Sequence, residues 1–457
     1  MKKSVSWLLI FTMLLVFVAG CSNSESGDYE DVFYGTFSGE YKTINPYDLS
    51  SVTGYTIIAN TIDGLVENDK YGMVVPSLAE SWTNNEDYTV WTFKLRPDVY
   101  WVDSNGQKTE YKVTADDFVE GIRYIADPMN AAKNFKTISS VIKGISDYYY
   151  NLADIDEGID IGMTREEVEN SFEETVGVKA LDEYTLEYTL DTSTPYFLSY
   201  LVMELFYPVE KEFLNEVGED FATSKETLLY NGGYYISTWE RDKLIVLSKN
   251  DNYWDKDNIT VREINLQKVG DEITGLEMFQ RGELTSCSVS AEQLKALKGT
   301  EWEKYVNLKE KNTVTFWFTM NYQSKNPEYK TFVNNLNFRK ALLYGIDRVK
   351  ISSLYEPNQP EFFIRNTITP EDTVFDPNGV DYTDYPNLKP FKENNPYDPE
   401  LAKEYMKKAV EELCSDDGTI NGVESGSVDM DRIAKFDVDG ELPVDLVLAT
   451  TTDPVCQ

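Results

Sequence analysis

The chain has 457 residues, enough for two or three domains with large cores, and 41% of them are hydrophobic, as in a folded protein. Its 42 basic residues face 79 acidic ones, a formal charge of −37, and no basic run could neutralise phosphates, which excludes nucleic acid as a partner. The absence of histidine removes Ser-His-Asp and Cys-His nucleophiles, HExxH zinc sites and imidazole proton shuttles.

The first element is an export signal. Lys2 and Lys3 precede an apolar run from Trp7 to Val18, and Ala19 and Gly20 lead to Cys21. Val18-Ala19-Gly20-Cys21 resembles a bacterial lipobox, which predicts residues 1–20 as a signal peptide and Cys21 as the lipid attachment site. Residues 21–27 then read as a polar, lipid-anchored tether.

Val32 to Phe37 reads as an opening strand, followed by a loop that ends at Pro46, and residues 54–65 read as a helix burying Ile57, Ile58, Thr61 and Ile62. The stretch 62–128 is the most informative. It opens with Ile62-Asp63-Gly64-Leu65-Val66 and passes through Val75-Pro76-Ser77-Leu78-Ala79-Glu80-Ser81-Trp82. Trp91 to Arg96 alternates apolar and polar residues as a half-buried strand does, and Pro97-Asp98 stops it. Thr114 and Asp117 are spaced as a capping box for a helix with Phe118, Ile122 and Ile125 on one face. Residues 129–175 carry the cluster Tyr148-Tyr149-Tyr150 and an acidic stretch, 154–160. Tyr184, Leu186, Tyr188 and Leu190 then alternate with polar residues, predicting a strand with one face buried.

Further on, the glycines of Asn231-Gly232-Gly233-Tyr234 allow a tight turn or a close backbone approach. Lys243 to Leu247 reads as a strand, Asn250 to Trp254 as an aromatic turn, Ser286 to Val289 as a short strand, and Thr313 to Met320 as a strand by composition. Asn335 or Asn337 can cap a helix ending near Gly345. Asp398-Pro399 starts another, with Leu401, Tyr405, Ala409 and Leu413 expected on its apolar face.

Asp417, Thr419, Asn421 and Gly422 occupy calcium-loop positions, but Val428 stands where a bidentate glutamate is required, so no metal site is assigned. No cofactor is expected either: neither GxGxxG nor GxxxxGK(S/T) occurs. Cys287 reads as a buried free thiol, and Cys414 and Cys456 could pair, with nothing in the sequence to decide it.

The order and wording of these segments resemble the extracellular solute-binding proteins, family 5, the oligopeptide-binding lipoproteins of ABC transporters. Besides 62–128, the resemblance rests on Tyr207-Pro208-Val209, Asn231-Gly232-Gly233-Tyr234, Asn250-Asp251-Asn252-Tyr253-Trp254, Phe316-Trp317-Phe318-Thr319-Met320-Asn321 and Phe338-Arg339-Lys340-Ala341-Leu342 through Ile346-Asp347-Arg348. It implies an α/β, two-lobed, periplasmic-binding-protein-like clamshell with an extra domain inserted in lobe one. Lobe one would comprise 28–70 and 196–310, the inserted domain 71–195, and lobe two 311–457. Members of the family continue beyond this end through a segment bearing the aspartate that pairs with the peptide α-amino group, so lobe two is expected to be C-terminally truncated.

The function so implied is non-enzymatic: a monomer, anchored outside the cell membrane by lipidated Cys21, captures an oligopeptide in an interlobe cleft by ligand-biased closure and delivers it to ABC permease subunits. Glu40 and Tyr41 match the loop that pairs with the peptide backbone, and Asn231, Gly232, Gly233, Tyr234, Phe316, Trp317, Phe318 and Asn321 match segments near the cleft. A surface glycoside hydrolase using paired carboxylates is the alternative from another class. Within the family, an oligosaccharide or another small solute is the alternative ligand.

Overall fold

The computed structural model describes residues 31–428, apart from 39–42, 71, 308–314, 316, 355, 377, 394 and 425. The leader and tether, Cys21, Glu40, Tyr41, Phe316 and Cys456 therefore lie outside the described residues. The chain divides into two compact units, one ending at Val289 and the other beginning at Ser290.

Twelve strands are found among the described residues of the first unit: β1 (Val32–Phe37), β2 (Val66–Asn68), β3 (Val74–Pro76), β4 (Ala79–Asn84), β5 (Val90–Leu95), β6 (Tyr100–Val102), β7 (Lys108–Lys112), β8 (Val178–Asp182), β9 (Thr185–Thr189), β10 (Tyr234–Glu240), β11 (Leu244–Lys249) and β12 (Glu263–Lys268). One four-stranded sheet has the order β1-β12-β11-β10. Its β1 runs parallel to β12, Val32 opposite Glu263 and Phe37 opposite Lys268, and its other pairs are antiparallel. A second sheet, β4-β5-β9-β8, is antiparallel throughout. The pairs β2-β3 and β6-β7 are small ribbons.

Alternation decides which face of the second sheet is buried. Trp91, Phe93 and Leu95 on β5, and Leu186 and Tyr188 on β9, point into the core, where the Phe93 and Tyr188 rings meet edge to face at 6.2 Å. Helix Ala115–Ile125 buries Phe118, Ile122 and Ile125, as its apolar spacing predicts. Its N-terminus is closed by Asp117, whose carboxylate accepts from the Thr114 N–H at 3.0 Å. One hydrophobic core runs from Phe37 through the 71–195 segment to Leu266. On its outside, the Arg165 guanidinium joins Asp127, Asp156 and Glu169 at 2.5, 2.7 and 2.8 Å, tying three local segments together.

Several boundaries move. The predicted 54–65 helix runs Val52–Thr61, because the Ser51 hydroxyl caps it through Gly54 and Ile62 leaves the helical conformation. Residues 286–289 form no strand, and Cys287 is a free thiol only half-buried. Of the strand expected over 313–320, the described residues run without strand pairing. Within the tyrosine cluster Tyr148 is buried, Tyr149 stacks on Phe135 at 3.9 Å, and Tyr150 is exposed.

The second unit is built on helices Pro327–Asn334, Leu336–Gly345 and Pro399–Leu413, with Phe332, Phe338, Ala341, Met406, Ala409 and Val410 in its core. Asn335 is the cap that forms, accepting from the Phe338 N–H at 3.0 Å. Asn335 and Asn337 both donate to the Glu412 carboxylate at 2.8 Å, joining two helices. The stripe buried by Pro399–Leu413 is Ala402, Met406, Ala409 and Val410: of the predicted row Ala409 is buried, Tyr405 and Leu413 pack partly buried against the core, and Ala402 and Met406 take the central places instead of Leu401. Cys414 is a buried free thiol. Among the described residues no helix is long and apolar enough to cross a membrane.

Candidate functional site

The residues of the 62–128 stretch converge on one buried carboxylate. Asp63 follows the helix Val52–Thr61 and is 9% exposed. Its Oδ2 accepts three hydrogen bonds: from the Ser77 hydroxyl at 3.1 Å, the Tyr253 hydroxyl at 2.9 Å and the Trp254 indole N–H at 3.0 Å. Its backbone N–H donates to Asn231 Oδ1 at 2.7 Å. Burial raises the Asp63 pKa, and the three donors oppose that rise.

The Asn231-Gly232-Gly233-Tyr234 segment is part of the same knot. Asn231 and Gly232 both donate backbone N–H groups to the Thr61 carbonyl, and Asn250 reaches the Gly232 carbonyl through its side chain and Gly233 through its backbone. A Cβ on Gly232 would stand 2.8 Å from the Thr61 carbonyl carbon, so glycine is what lets the two chains approach this closely. Tyr234 is buried at the start of β10 and donates to the Val261 carbonyl at 2.8 Å. All four residues are therefore buried, and their hydrogen bonds are made within the first unit.

Arg96 closes the knot on its outer side. Its guanidinium lies 3.7 Å from the Trp254 ring centroid, a cation–π contact, and its Nε donates to the Ser77 carbonyl at 2.7 Å. Partial desolvation, then the neighbouring Asp63 and Asp255 carboxylates, push Glu67 on β2 up to about 7. Asp63, Ser77, Arg96, Tyr253 and Trp254 had no role assigned from sequence. Their motif order was the only available signal, because Tyr253 and Trp254 stand 190 and 191 positions from Asp63.

The other expected ligand residues that the structure describes, Trp317, Phe318 and Asn321, belong to the second unit. Trp317 and Phe318 are 66% and 67% exposed, unusual for rings of that size, and the Trp317 indole donates to Thr319 Oγ1 at 3.1 Å. Asn321 is exposed, and its side-chain oxygen accepts from the Gln323 N–H at 3.0 Å.

An open groove of about 510 Å³ lies elsewhere on the first unit, lined by Glu110, Asp116, Asp117, Glu120, Glu210 and Glu212 among others. None of the expected ligand residues lines it. Burial pushes Asp117 up to about 8 there, against hydrogen bonds from Thr114 and the Trp101 indole, with Glu210 adding to the rise. Among the described residues no group of three acids or cysteines could hold a metal ion.

A model of the bacterial extracellular solute-binding proteins, family 5 Middle, matches residues 73–436. Oligopeptide-binding protein SarA of Streptococcus gordonii is 32% identical over 381 residues, 77% of this chain and 54% of its own length. Oligopeptide-binding protein AliB of Streptococcus pneumoniae is 31% identical over 400 residues, 82% of this chain and 57% of its own length. The chain thus spans about half the length of the curated relatives it matches. Among solved structures, Listeria monocytogenes OppA bound to peptide is 28% identical with a TM-score of 0.60, over 84% of this chain and 69% of that one.

Proposed function

Because the chain belongs to the bacterial extracellular solute-binding proteins, family 5, we propose that it is the substrate-binding component of an ABC importer and that its substrates are oligopeptides. The observation that carries this reading is the agreement of the family match over 73–436 with oligopeptide-binding relatives above 30% identity. Nothing in the fold or in these relatives favours a glycoside hydrolase. The protein binds and releases its ligand without chemical change.

Capture works by population shift: a peptide that contacts both lobes of a clamshell favours the closed state by its differential affinity, and the permease reads that state. Trp317, Phe318 and Asn321 are the described residues assigned to the ligand, supported by the exposure of two large rings that the second core leaves unpacked. Glu40, Tyr41 and Phe316 are assigned beside them on sequence grounds. The Asn231–Tyr234 segment, assigned to the cleft on sequence grounds, is buried and hydrogen-bonded within the first unit, and its assigned role is to hold that lobe's backbone. The Cys21 thiol carries the lipid, which holds the receptor at the outer face of the membrane, as a monomer beside its permease.

Thermal unfolding with and without a mixed oligopeptide pool tests the assignment. Binding to the native state raises the midpoint with peptide concentration, and the recovered peptides keep their masses. An unchanged midpoint at saturating peptide, or peptides recovered cleaved, would refute it.

A further inference from the structure

The sequence contains four Asn-Gly pairs: Asn105-Gly106, Asn231-Gly232, Asn378-Gly379 and Asn421-Gly422. Asparagine is among the thermolabile side chains, and a glycine after it leaves the approach of its backbone nitrogen to the asparagine side-chain carbonyl least hindered. That nitrogen must be free to turn on the carbonyl carbon. The hydrogen bonding of each glycine N–H therefore decides which pair reacts.

Three of the four glycines are engaged. The Gly232 N–H donates to the Thr61 carbonyl at 3.0 Å, and Asn231 is buried with its Oδ1 held by the Asp63 N–H at 2.7 Å. Gly106 and Gly379 each stand fourth in a turn, so their N–H groups close it, donating to the Asp103 and Asp376 carbonyls at 2.9 Å. Gly422 differs. The turn over 420–423 is closed by the Val423 N–H on the Ile420 carbonyl at 3.2 Å, which puts Gly422 third, with a φ of +78°. In that place its N–H takes no part in the turn, and it has no acceptor among the described residues. Asn421 and Gly422 are both exposed, and a Cβ on Gly422 would meet no atom within 4 Å.

The asparagine side is prepared as well. Cys414 and Ile420, both buried, face each other in an antiparallel bridge, and the Asn421 N–H donates to the Leu413 carbonyl at 2.8 Å. This pairing holds the exposed Ser415 beside Asn421, and the Ser415 hydroxyl donates to Asn421 Oδ1 at 3.1 Å. A donor on that oxygen stabilises the negative charge that gathers there when the carbonyl carbon is attacked. We propose that Asn421 is a deamidation site, at which the Gly422 nitrogen attacks Asn421 Cγ with help from the Ser415 hydroxyl. The new N–C bond closes a succinimide as the bond from Cγ to Nδ2 breaks, and the Gly422 proton leaves with that nitrogen as ammonia. Water then opens the ring at either carbonyl, giving aspartate or isoaspartate, so water enters and ammonia departs. The site is independent of the peptide reading.

The test incubates the full, folded chain in warm, mildly alkaline buffer and maps its peptides by mass spectrometry against time. Peptides containing Asn421 gain one mass unit and split into aspartate and isoaspartate forms faster than those containing Asn105, Asn231 or Asn378. Ser415→Ala slows the change at Asn421 by about two- to tenfold, the worth of one hydrogen bond. Ser415→Thr, which keeps the hydroxyl, restores the rate. In urea, where the folded hydrogen bonds are gone, the four pairs react at similar rates and Ser415→Ala has no effect. Asn105 or Asn378 reacting as fast as Asn421 in the folded protein, or Ser415→Ala leaving the rate at Asn421 unchanged, overturns the proposal.

Discussion

The Trp254 indole N–H points at Asp63 Oδ2 from 3.0 Å while the Arg96 guanidinium covers the same ring at 3.7 Å, so one side chain links a buried anion to an outer cation. With Ser77 and Tyr253 on the same oxygen, Asp63 joins a neighbouring turn to a segment 190 residues further along the chain. Asp63→Ala leaves three donors unserved and is expected to lower stability by about 3 kcal/mol or more in urea unfolding. A loss under about 1 kcal/mol would show that the knot is dispensable.

Two glycine substitutions should differ in sign. In Gly232→Ala the new methyl meets backbone on the opposing chain at 2.8 to 3.0 Å, which a rotamer change cannot relieve, and a loss of about 1–3 kcal/mol is expected. Gly270 has open space around its Cβ direction and no left-handed φ, so Gly270→Ala should gain about 0.4–1 kcal/mol through the unfolded state. Chemical denaturation of the two variants side by side reads both.

Stability should fall as pH rises through the neutral range. Asp117 titrates near 8 when folded, against an ordinary value of 3.8, so the folded state holds the proton between those limits. The contribution is fully present below about pH 4 and is lost as pH climbs through 8, by at most ~1.4 kcal/mol per pH unit. Glu67, pushed up to about 7, acts in the same direction. Asp117→Asn keeps an acceptor for the Thr114 N–H and should flatten the profile between about pH 5 and about pH 9. An unchanged slope would contradict the assignment.

The Tyr188 ring packs against the Phe93, Phe197 and Phe206 rings, and its buried hydroxyl has no hydrogen-bond partner among the described residues. Tyr188→Phe should therefore leave stability unchanged or raise it by up to about 1 kcal/mol. Tyr188→Ala opens a cavity and should cost about 3–5 kcal/mol. Thermal melts of both variants separate the phenol from the ring.

Local signals carried much of the fold. Alternation located β5 and β9, and cap chemistry located the helices begun by Thr114, Asn335 and Asp398. Where two spacings competed, sequence could not choose between them. Pro399–Leu413 offers a Leu401-Tyr405 row beside an Ala402-Met406 row. The smaller row packs inward because it lets the helix Leu336–Gly345 come close, and Tyr405 stacks on Tyr344 at 5.6 Å beside the contact. The knot at Asp63 was legible only as a set of motifs. Nothing local in Asn250 to Trp254 announces a partner almost two hundred residues earlier.

The most direct test of the peptide-receptor account is isothermal titration of the protein with a defined oligopeptide pool, set beside the same residues supplied as free amino acids. Saturable heat with the peptides, none with the amino acids, and peptides recovered intact is the predicted result. Heat from the free amino acids alone, or none from any peptide, would contradict it.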